Sequence, residues 1–493
     1  MNKKSIFIVL STILCMNLHA QDIPNAALFL PAPPSTLEFK YINDVVQYEW
    51  GKSIRETSRG EQARNDMSWD FETYMNVFSG ILGIELSRNV TPYIYQMFEY
   101  GFKHYSQAIE ASQMYYYSQR PYAKFNEDTL VPDSENKYRS ISSYPSEQAT
   151  YGWLMAMLLT EICPAKQDQL LKRGYEFGES AVIAGYNWYS DAIVGRELAS
   201  TLMIYFHTHG GFSDLIKVAR SEYENKAGTR GTKAGGIDIS VDILPNGVNY
   251  LPEPPNVLSV LYAYDISQYN EGKMIRNTKR GDQANSDCQD DLGYISKIFS
   301  PLFGMTISES GTPNIYKLLD TIRDLAGNST EIAKDYYKRE RPFAKLNDDA
   351  QNPNHQKAIT GSYSYPSGHT SFGWLVGLAL SEINPACQEK VMARAYEFGQ
   401  SRVIGGYHWQ TDVDAGRLAA GACFARLHAE QAYIDLLDKA VKEYKNGTSS
   451  IRSNTRIDED DVSAPIYTIG GVRLDGEPTK SGIYIKGNKK IAY

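Results

Sequence analysis

Residues 365–383 read YPSGHTSFGWLVGLALSEI, a short turn followed by an almost uninterrupted apolar run. From Thr370 to Ile383 apolar residues fill most positions, which predicts a helix buried on all sides. Gly368 and His369 stand where this helix begins. The free backbone N–H groups and the dipole of a helix N-terminus favour an anion. The stretch therefore predicts a helical core with an anion site at its start, and a plain Pro-Ser-Gly turn is the alternative.

The segments around this helix also have helical patterns. A helix is predicted over residues 331–340, ending near Pro342, and further helices over 390–399 and 413–428. Lys334 and Arg341 are seven residues apart, which predicts two cations on one helix face. Taken alone, such a pair is also typical of a solvated surface.

A second polar cluster lies downstream of the apolar helix. It comprises Ser401-Arg402, then His408, then Asp412 four residues later. A carboxylate bonded to one ring nitrogen fixes the tautomer and leaves the lone pair of the other nitrogen free. A surface pair or a satisfied core histidine is the alternative for this spacing alone. Together with the upstream cations and His369, the cluster suits a tetrahedral oxyanion that one histidine attacks while another donates a proton.

The chain contains an internal repeat. Each repeated pair of motifs is separated by 221 residues: Leu30–Pro34 and Leu251–Pro255, Arg59–Ala63 and Arg280–Ala284, Arg120-Pro121 and Arg341-Pro342, Tyr144–Ser146 and Tyr365–Ser367, Gly195-Arg196 and Gly416-Arg417. We call Leu30–Asn225 the first repeat and Leu251–Asn446 the second repeat. A constant offset over this length indicates tandem duplication of a whole domain.

The predicted fold is all-α, with two tandem helical-bundle domains and a short β-rich C-terminal tail. The predicted boundaries are 1–20 for a signal peptide, 21–226 for the first domain, 227–250 for a linker, 251–447 for the second domain and 448–493 for the tail. The tail resembles C-terminal sorting or anchoring tails of some secreted Gram-negative proteins, and a plain β-hairpin appendage is the alternative.

Composition is that of an ordinary globular protein, with 42% hydrophobic and 22% charged residues among 493. Residues 1–20 have a basic start, an apolar centre and Ala20 before a predicted cleavage, so a periplasmic or secreted protein is expected. Cleavage leaves a net charge of −10, which argues against nucleic acid as a partner. No membrane span is expected. Four cysteines remain (Cys163, Cys288, Cys387 and Cys423), and their pairing stays open.

The motifs of the second repeat resemble those of the type 2 phosphatidic acid phosphatase superfamily. They read Lys334-x6-Arg341-Pro342, Pro366-Ser367-Gly368-His369 and Ser401-Arg402-x5-His408-x3-Asp412. Residues 341–344, 365–370 and 405–410 are most similar to the secreted bacterial class A non-specific acid phosphatases. This resemblance implies an all-α fold and hydrolysis of phosphate monoesters without a metal or other cofactor. It also implies an acidic pH optimum.

The resemblance also implies roles for individual residues. His408 would be the nucleophile that forms a phosphohistidine, and Asp412 would orient it. His369 would protonate the leaving group and then deprotonate the attacking water. The phosphate would be bound by Lys334, Arg341, Ser367, Gly368 and Arg402.

Two alternative functions remain open. The superfamily includes vanadium haloperoxidases, which hold vanadate as a cofactor in nearly the same pocket; bromination that depends on vanadate and peroxide would identify one. A secreted binding protein on the same scaffold is the other. The substrate is expected to be a small phosphorylated molecule whose identity the sequence leaves open.

In the first repeat, the equivalent positions carry different side chains. Gln113 replaces Lys334, Glu147 replaces Gly368, Gln148 replaces His369, Ala181 replaces Arg402 and Asn187 replaces His408, whereas Arg120, Ser146 and Asp191 persist. We expect this domain to be inactive and to pack on the active domain as an intramolecular pseudo-dimer, with ligand binding as the alternative. His207 and His428 are equivalent and are expected to be structural. Surface or loop positions are expected for His104, His209 and His355.

Overall fold

The computed structural model describes residues 23–67, 69–228 and 239–454, together with four short strands between residues 466 and 492. The chain divides into two compact units, Met1–Val441 and Lys442–Tyr493. The expected signal peptide, residues 229–238 of the expected linker and the tail segments between the strands lie outside the described residues.

The first repeat is helical throughout its described part. Its α-helices are α1 Phe39–Ser53, α2 Ser58–Asp66, α3 Phe71–Leu82, α4 Pro92–Gln113, α5 Pro121–Phe125, α6 Glu135–Tyr138, α7 Glu147–Ile162, α8 Gln167–Ala184, α9 Tyr189–Thr208 and α10 Phe212–Ala227. The helix α11 (Gly247–Tyr250) follows in the linker. Short 3-10 helices cover Ala26–Leu28, Pro132–Ser134, Pro164–Lys166, Val241–Ile243 and Pro385–Cys387.

The second repeat contains helices in the same order. They are α12 Val260–Met274, α13 Lys279–Ser286, α14 Leu292–Phe303, α15 Pro313–Tyr337, α16 Pro342–Lys345, α17 Pro353–Ile359, α18 Gly368–Ile383, α19 Gln388–Ile404, α20 Gln410–His428 and α21 Gln431–Asn454. Most of these helices begin 221 residues after their counterparts in the first repeat.

The stretch quoted first forms α18, the central helix of the second repeat. Ser367 is its N-cap, with the side-chain oxygen accepting a hydrogen bond from the Thr370 backbone N–H at 3.3 Å. Every residue from Thr370 to Ile383 is buried. Helix α7 begins in the same way, at Ser146. The uniform apolarity of both segments thus reflects helices enclosed on all sides.

Helices of the two repeats are in direct contact within the larger compact unit. α9 packs on α18 and α20, and α7 packs on α20. The indole N–H of Trp374 donates to Ser200 Oγ at 3.1 Å. Arg417 Nη1 lies 3.0 Å from Glu197 Oε1, and both side chains are almost fully buried. The contact between the repeats therefore has an apolar and charged interior like that of a protein core.

Four short strands form an antiparallel sheet in the smaller unit. They are β1 Ile466–Thr468, β2 Arg473–Leu474, β3 Ile483–Lys486 and β4 Lys489–Ala492, in the spatial order β2-β1-β3-β4. In the register, Tyr467 pairs with Ile485 and Ile485 pairs with Lys490.

The helix predicted over residues 331–340 was placed incorrectly. It is the C-terminal part of α15, which starts at Pro313 and ends at Tyr337, followed by Lys338 in the left-handed conformation. Arg341 lies beyond the helix, in extended backbone before Pro342. Lys334 and Arg341 therefore do not share a helix face, because the chain turns between them.

Two further properties bear on the sequence-based expectations. The thiols of Cys163, Cys288, Cys387 and Cys423 are free and buried. Within the described ranges, every helix is too short or too polar to cross a bilayer.

Candidate active site

One pocket in the second repeat collects most of the predicted site residues. Its lining includes Lys334, Arg341, Gly368, His369, Arg402 and His408. The other two predicted residues lie directly behind it: Ser367 is buried beneath the start of α18, and Asp412 is buried behind His408. Residues from five segments thus meet at the N-terminus of the central helix.

The backbone at Gly368 brings the N-terminus of α18 close to Lys334. A Cβ atom at position 368 would lie 3.3 Å from Lys334 Nζ and 3.2 Å from Thr330 Oγ1. The absence of a side chain leaves the first N–H groups of the helix open to the pocket. Lys334 Nζ also contacts Glu331 at 2.6 Å.

His408 is held at both ring nitrogens. Its Nδ1 donates to the carbonyl oxygen of Ser364 at 2.8 Å, and Arg341 Nη1 lies 2.9 Å from its Nε2. Because a guanidinium offers only donors, Nε2 must be an unprotonated acceptor. Burial and the neighbouring Arg341 cation lower the pKa of His408 to about 3. The structure therefore presents a neutral imidazole with its lone pair towards the pocket cations.

Asp412 supports His408 less directly than its spacing predicts. Its Oδ2 accepts from the Trp409 backbone N–H at 2.8 Å and lies 3.4 Å from His408 Nδ1. The shorter bond of that nitrogen goes to the Ser364 carbonyl, so the carboxylate is not the sole group that fixes the tautomer. Burial alone would raise the pKa of Asp412, but the Arg339 cation holds it below its usual value.

His369 lies at the edge of the pocket, stacked on Phe398 with ring centroids 5.6 Å apart. Its Nε2 lies 3.2 Å from the carbonyl oxygen of Cys288, and its Nδ1 lies 3.2 Å from Asp290 Oδ2. Burial, followed by the charge of Arg402, lowers the pKa of His369 well below its ordinary value. The two histidines thus differ, since His408 faces the Arg341 cation and His369 faces oxygens of Cys288 and Asp290.

Several residues at the site were missed or misplaced in the sequence analysis. His355 was expected at the surface or in a loop, yet its Nε2 lies 2.6 Å from Arg402 Nη2 beside the pocket. Asp290 and Arg323 line the pocket without belonging to any motif. Arg339 pairs with Asp412. Of these four residues only Arg339 lies inside a motif, and the motif does not reveal the direction of its side chain.

In the first repeat, the position equivalent to Gly368 is occupied by a carboxylate, that of Glu147. Arg120 Nη2 donates to Glu147 Oε1 at 2.8 Å, and the arginine is fully buried. Asn187 donates to the Ser143 carbonyl at 2.6 Å, as His408 does to Ser364. Glu147 thus gives Arg120 the anionic partner that the second repeat leaves open to the pocket.

Comparison with known proteins agrees with this geometry. The PAP2 superfamily model matches residues 322–433, all in the second repeat. The chain is 45% identical over 195 residues to a non-specific acid phosphatase of Providencia stuartii, covering 39% of this chain and 79% of that protein.

Two other relatives give similar matches. Identity is 39% over 209 residues to a non-specific acid phosphatase of Salmonella typhimurium, covering 42% of this chain and 83% of that protein. Identity to an acid phosphatase of Zymomonas mobilis is 29% over 201 residues, covering 41% of this chain and 76% of that protein. With the pocket described above, these similarities show that the chain belongs to the bacterial non-specific acid phosphatases of the PAP2 superfamily and is a phosphomonoester hydrolase.

Proposed function

We propose that the second repeat hydrolyses phosphate monoesters through a phosphohistidine on His408, without a metal. The observation that carries this proposal is the 2.9 Å approach of Arg341 to His408 Nε2. It identifies Nε2 as an unprotonated nitrogen next to a cation that would bind the phosphoryl group. A neutral imidazole lone pair beside such a cation is what attack on phosphorus requires.

The phosphoryl oxygens would be bound by the cations and by the start of α18. Arg341, Arg402 and Lys334 supply positive charge, and the Gly368 N–H adds the helix N-terminus. The Ser367 hydroxyl oxygen already accepts from Thr370, which leaves its hydrogen for a phosphate oxygen. These donors would stabilise the charge of the transition state.

The chemical steps follow from the two histidines. His408 Nε2 attacks phosphorus, the ester P–O bond breaks, and the leaving alkoxide takes a proton from His369. Water then attacks the phosphohistidine, His369 accepts its proton, and the P–N bond breaks to release phosphate. The negative charges of Asp290 and of the bound phosphate would favour the protonated form of His369, which burial and the charge of Arg402 oppose.

The first repeat is proposed to be a non-catalytic duplicate. Its Arg120–Glu147 ion pair occupies the place where a phosphate would bind, and Asn187 has no nucleophilic lone pair comparable to imidazole. The shared helix order and the buried contacts between α9 and α18 support a covalent pseudo-dimer, with domains near 21–226 and 251–447. The substrate is a small phosphate ester, and export of the protein follows from the signal-like residues 1–20.

A hydrolysis assay tests this function. With p-nitrophenyl phosphate and EDTA, wild type should turn over, and His408→Ala should lose at least about a thousandfold in kcat. The matched variant Asn187→Ala, at the equivalent position, should retain wild-type kcat. Full activity of His408→Ala would show that another residue is the nucleophile, and activity restored by an added metal would contradict metal independence.

A further inference from the structure

Arg339 connects two buried carboxylates behind the reacting histidine. Its Nη1 lies 2.5 Å from Asp412 Oδ1 and 2.8 Å from Thr411 Oγ1, and its Nη2 lies 2.6 Å from Asp265 Oδ2. The arginine side chain is 9% exposed, and both carboxylates are fully buried. Arg339 does not line the pocket, and its ion pair with Asp412 links it to His408.

The first repeat contains the same scaffold without the arginine, because Ser118 stands at the equivalent position. Asp44 accepts from Ser190 N and Oγ, as Asp265 accepts from Thr411 N and Oγ1. Asp191 accepts from Trp188 N at 2.8 Å, as Asp412 accepts from Trp409 N. However, Asp191 Oδ1 has no hydrogen-bond partner among the described residues, whereas Asp412 Oδ1 receives Arg339.

The pKa values of Asp191 and Asp412 are shifted in opposite directions. Burial and the charge of Asp44 raise the pKa of Asp191 to about 7. Burial would do the same at Asp412, but Arg339 is the largest opposing influence and holds its pKa below the ordinary value. The first repeat thus holds the same carboxylate pair without the arginine, and with Asn187 in place of the histidine.

We propose that Arg339 is a positioning residue for catalysis, which keeps Asp412 ionised and aligned behind His408 at acidic pH. This inference rests on the proposed function, in which His408 is the nucleophile.

The charges around His408 explain why this matters. While both carboxylates are ionised, Asp265, Asp412 and Arg339 together carry one net negative charge, which would balance the positive charge on the imidazole as it forms the phosphohistidine. Burial raises the pKa of Asp265 to about 6. Without Arg339, two buried carboxylates would face each other, and one would take up a proton as the pH falls. A protonated Asp412 could no longer stabilise the charged ring, so turnover would fall in acid.

The test compares the pH dependence of kcat in the full chain. Arg339→Ser copies the first repeat and should shift the acidic limb of the profile of kcat against pH to higher pH, by at least about one unit. At pH 5 this corresponds to roughly a tenfold greater loss of kcat than at pH 8, with KM changed less than about threefold. Arg339→Lys should restore much of the acidic activity. If the serine variant fails to fold, Arg339→Gln removes the same charge.

A matched control separates charge from stability. Arg173 forms a comparable buried pair with Asp66 in the first repeat, away from the pocket. Arg173→Ser should lower the melting temperature without moving the acidic limb. In the Arg339→Ser background, Asp265→Asn removes the like charge and should move the limb back towards acid. A loss of kcat that is equal at all pH values, or an unchanged profile, would overturn the proposal.

Trapping of the intermediate distinguishes this inference from the proposed function. Acid-sensitive phosphate on His408 of wild type, recovered after rapid quenching in base, is expected. If no such label forms, the proposed function fails together with the inference. If the label forms and Arg339→Ser keeps the wild-type pH profile, the inference alone fails.

Discussion

At the scale of single residues, one of the differences between the repeats lies at the start of the central helix, in the candidate anion site. Position 368 is a glycine whose absent Cβ leaves room beside Lys334. The equivalent Glu147 instead forms an ion pair with the buried Arg120. Since Arg120 and Arg341 occupy equivalent positions, the difference between the repeats lies in whether the arginine already has an anionic partner.

Copying this difference into the second repeat should inactivate it. Gly368→Glu is expected to pair with Arg341 and to compete with phosphate, so the inhibition constant for inorganic phosphate should rise at least about a hundredfold. Gly368→Ala, which adds a Cβ without a charge, should change that constant by less than about tenfold. Equal inhibition by phosphate in the glutamate variant and wild type would contradict an anion site here.

At the scale of helices, a close crossing fixes the helix that carries Asp265. A Cβ atom at Gly272 of α12 would lie 2.8 Å from the Ile404 Cα of α19, and one at Gly51 of α1 would lie 2.9 Å from the Ile183 Cα of α8. Backbone approach of this kind leaves no space for a side chain. The glycine therefore sets how closely α12 can approach the helix that bears Arg402.

Gly272→Ala should separate these helices and destabilise the protein by about 1–3 kcal/mol. The control is Gly80→Ala, an exposed helical site where a Cβ would meet no atom within 4 Å. That change should stabilise by up to about 1 kcal/mol, because alanine favours helix. Thermal unfolding of both variants measures the effect, and a Gly272→Ala protein as stable as wild type would show that the crossing can relax.

The sequence-based helix around Lys334 shows how local patterns mislead. A spacing of seven residues predicts a shared helix face, but α15 ends at Tyr337 and Arg341 reaches the pocket from extended backbone. The prediction of a shared helix face was wrong, although both residues line one pocket. The pre-proline restriction on Arg341 was visible in the sequence, whereas the left-handed turn at Lys338 depends on the packing of both flanking segments.

At the scale of the whole molecule, four buried groups meet where the repeats join. His207 Nε2 lies 2.9 Å from Glu161 and its Nδ1 lies 3.4 Å from Glu382. His428 Nε2 lies 3.1 Å from Glu382, and its Nδ1 lies 2.9 Å from the Phe424 carbonyl. The two rings stack with centroids 3.9 Å apart, and the Tyr433 ring lies beside His428. Both ring nitrogens of His207 thus lie close to carboxylate oxygens.

This cluster should make the stability of the contact between the repeats depend on pH. Burial would lower the pKa of His207, but Glu161 and Glu382 raise it to about 10. Its stabilisation is therefore complete below about 6.5, the unfolded value, and is lost as the pH rises towards about 10. The histidines likewise overcome burial and lower the pKa of Glu382 to about 2, so its contribution is retained above about 4.5 and lost below.

His207→Gln should consequently lower the melting temperature most between about pH 4.5 and 6.5, by roughly 3 °C or more. The difference from wild type should shrink by pH 9.5. His209→Gln, at the C-cap of α9 and outside the cluster, serves as the control and should show no such trend. A wild-type-to-variant difference that is constant from pH 5 to 9.5 would show that His207 is not protonated in the folded protein.

The sequence by itself predicted the helical class, the internal repeat of motifs and the position of the candidate anion site. Motif spacing and uniform apolarity are local properties, and they survive folding because α18 must be buried and its N-terminus must begin at Ser367. For the same reason the first repeat could be recognised as altered from Gln113, Glu147 and Asn187 alone.

Only the tertiary structure decided which groups touch. The Ser364 carbonyl, Arg339 and His355 reach the site by contacts that the sequence pattern does not specify. The arginine that pairs with the buried Asp412 is more than 70 residues away in the chain, and the equivalent Asp191 has no arginine from that position. Charge and hydrogen bonding act through space over a few ångströms, and that proximity is set by packing.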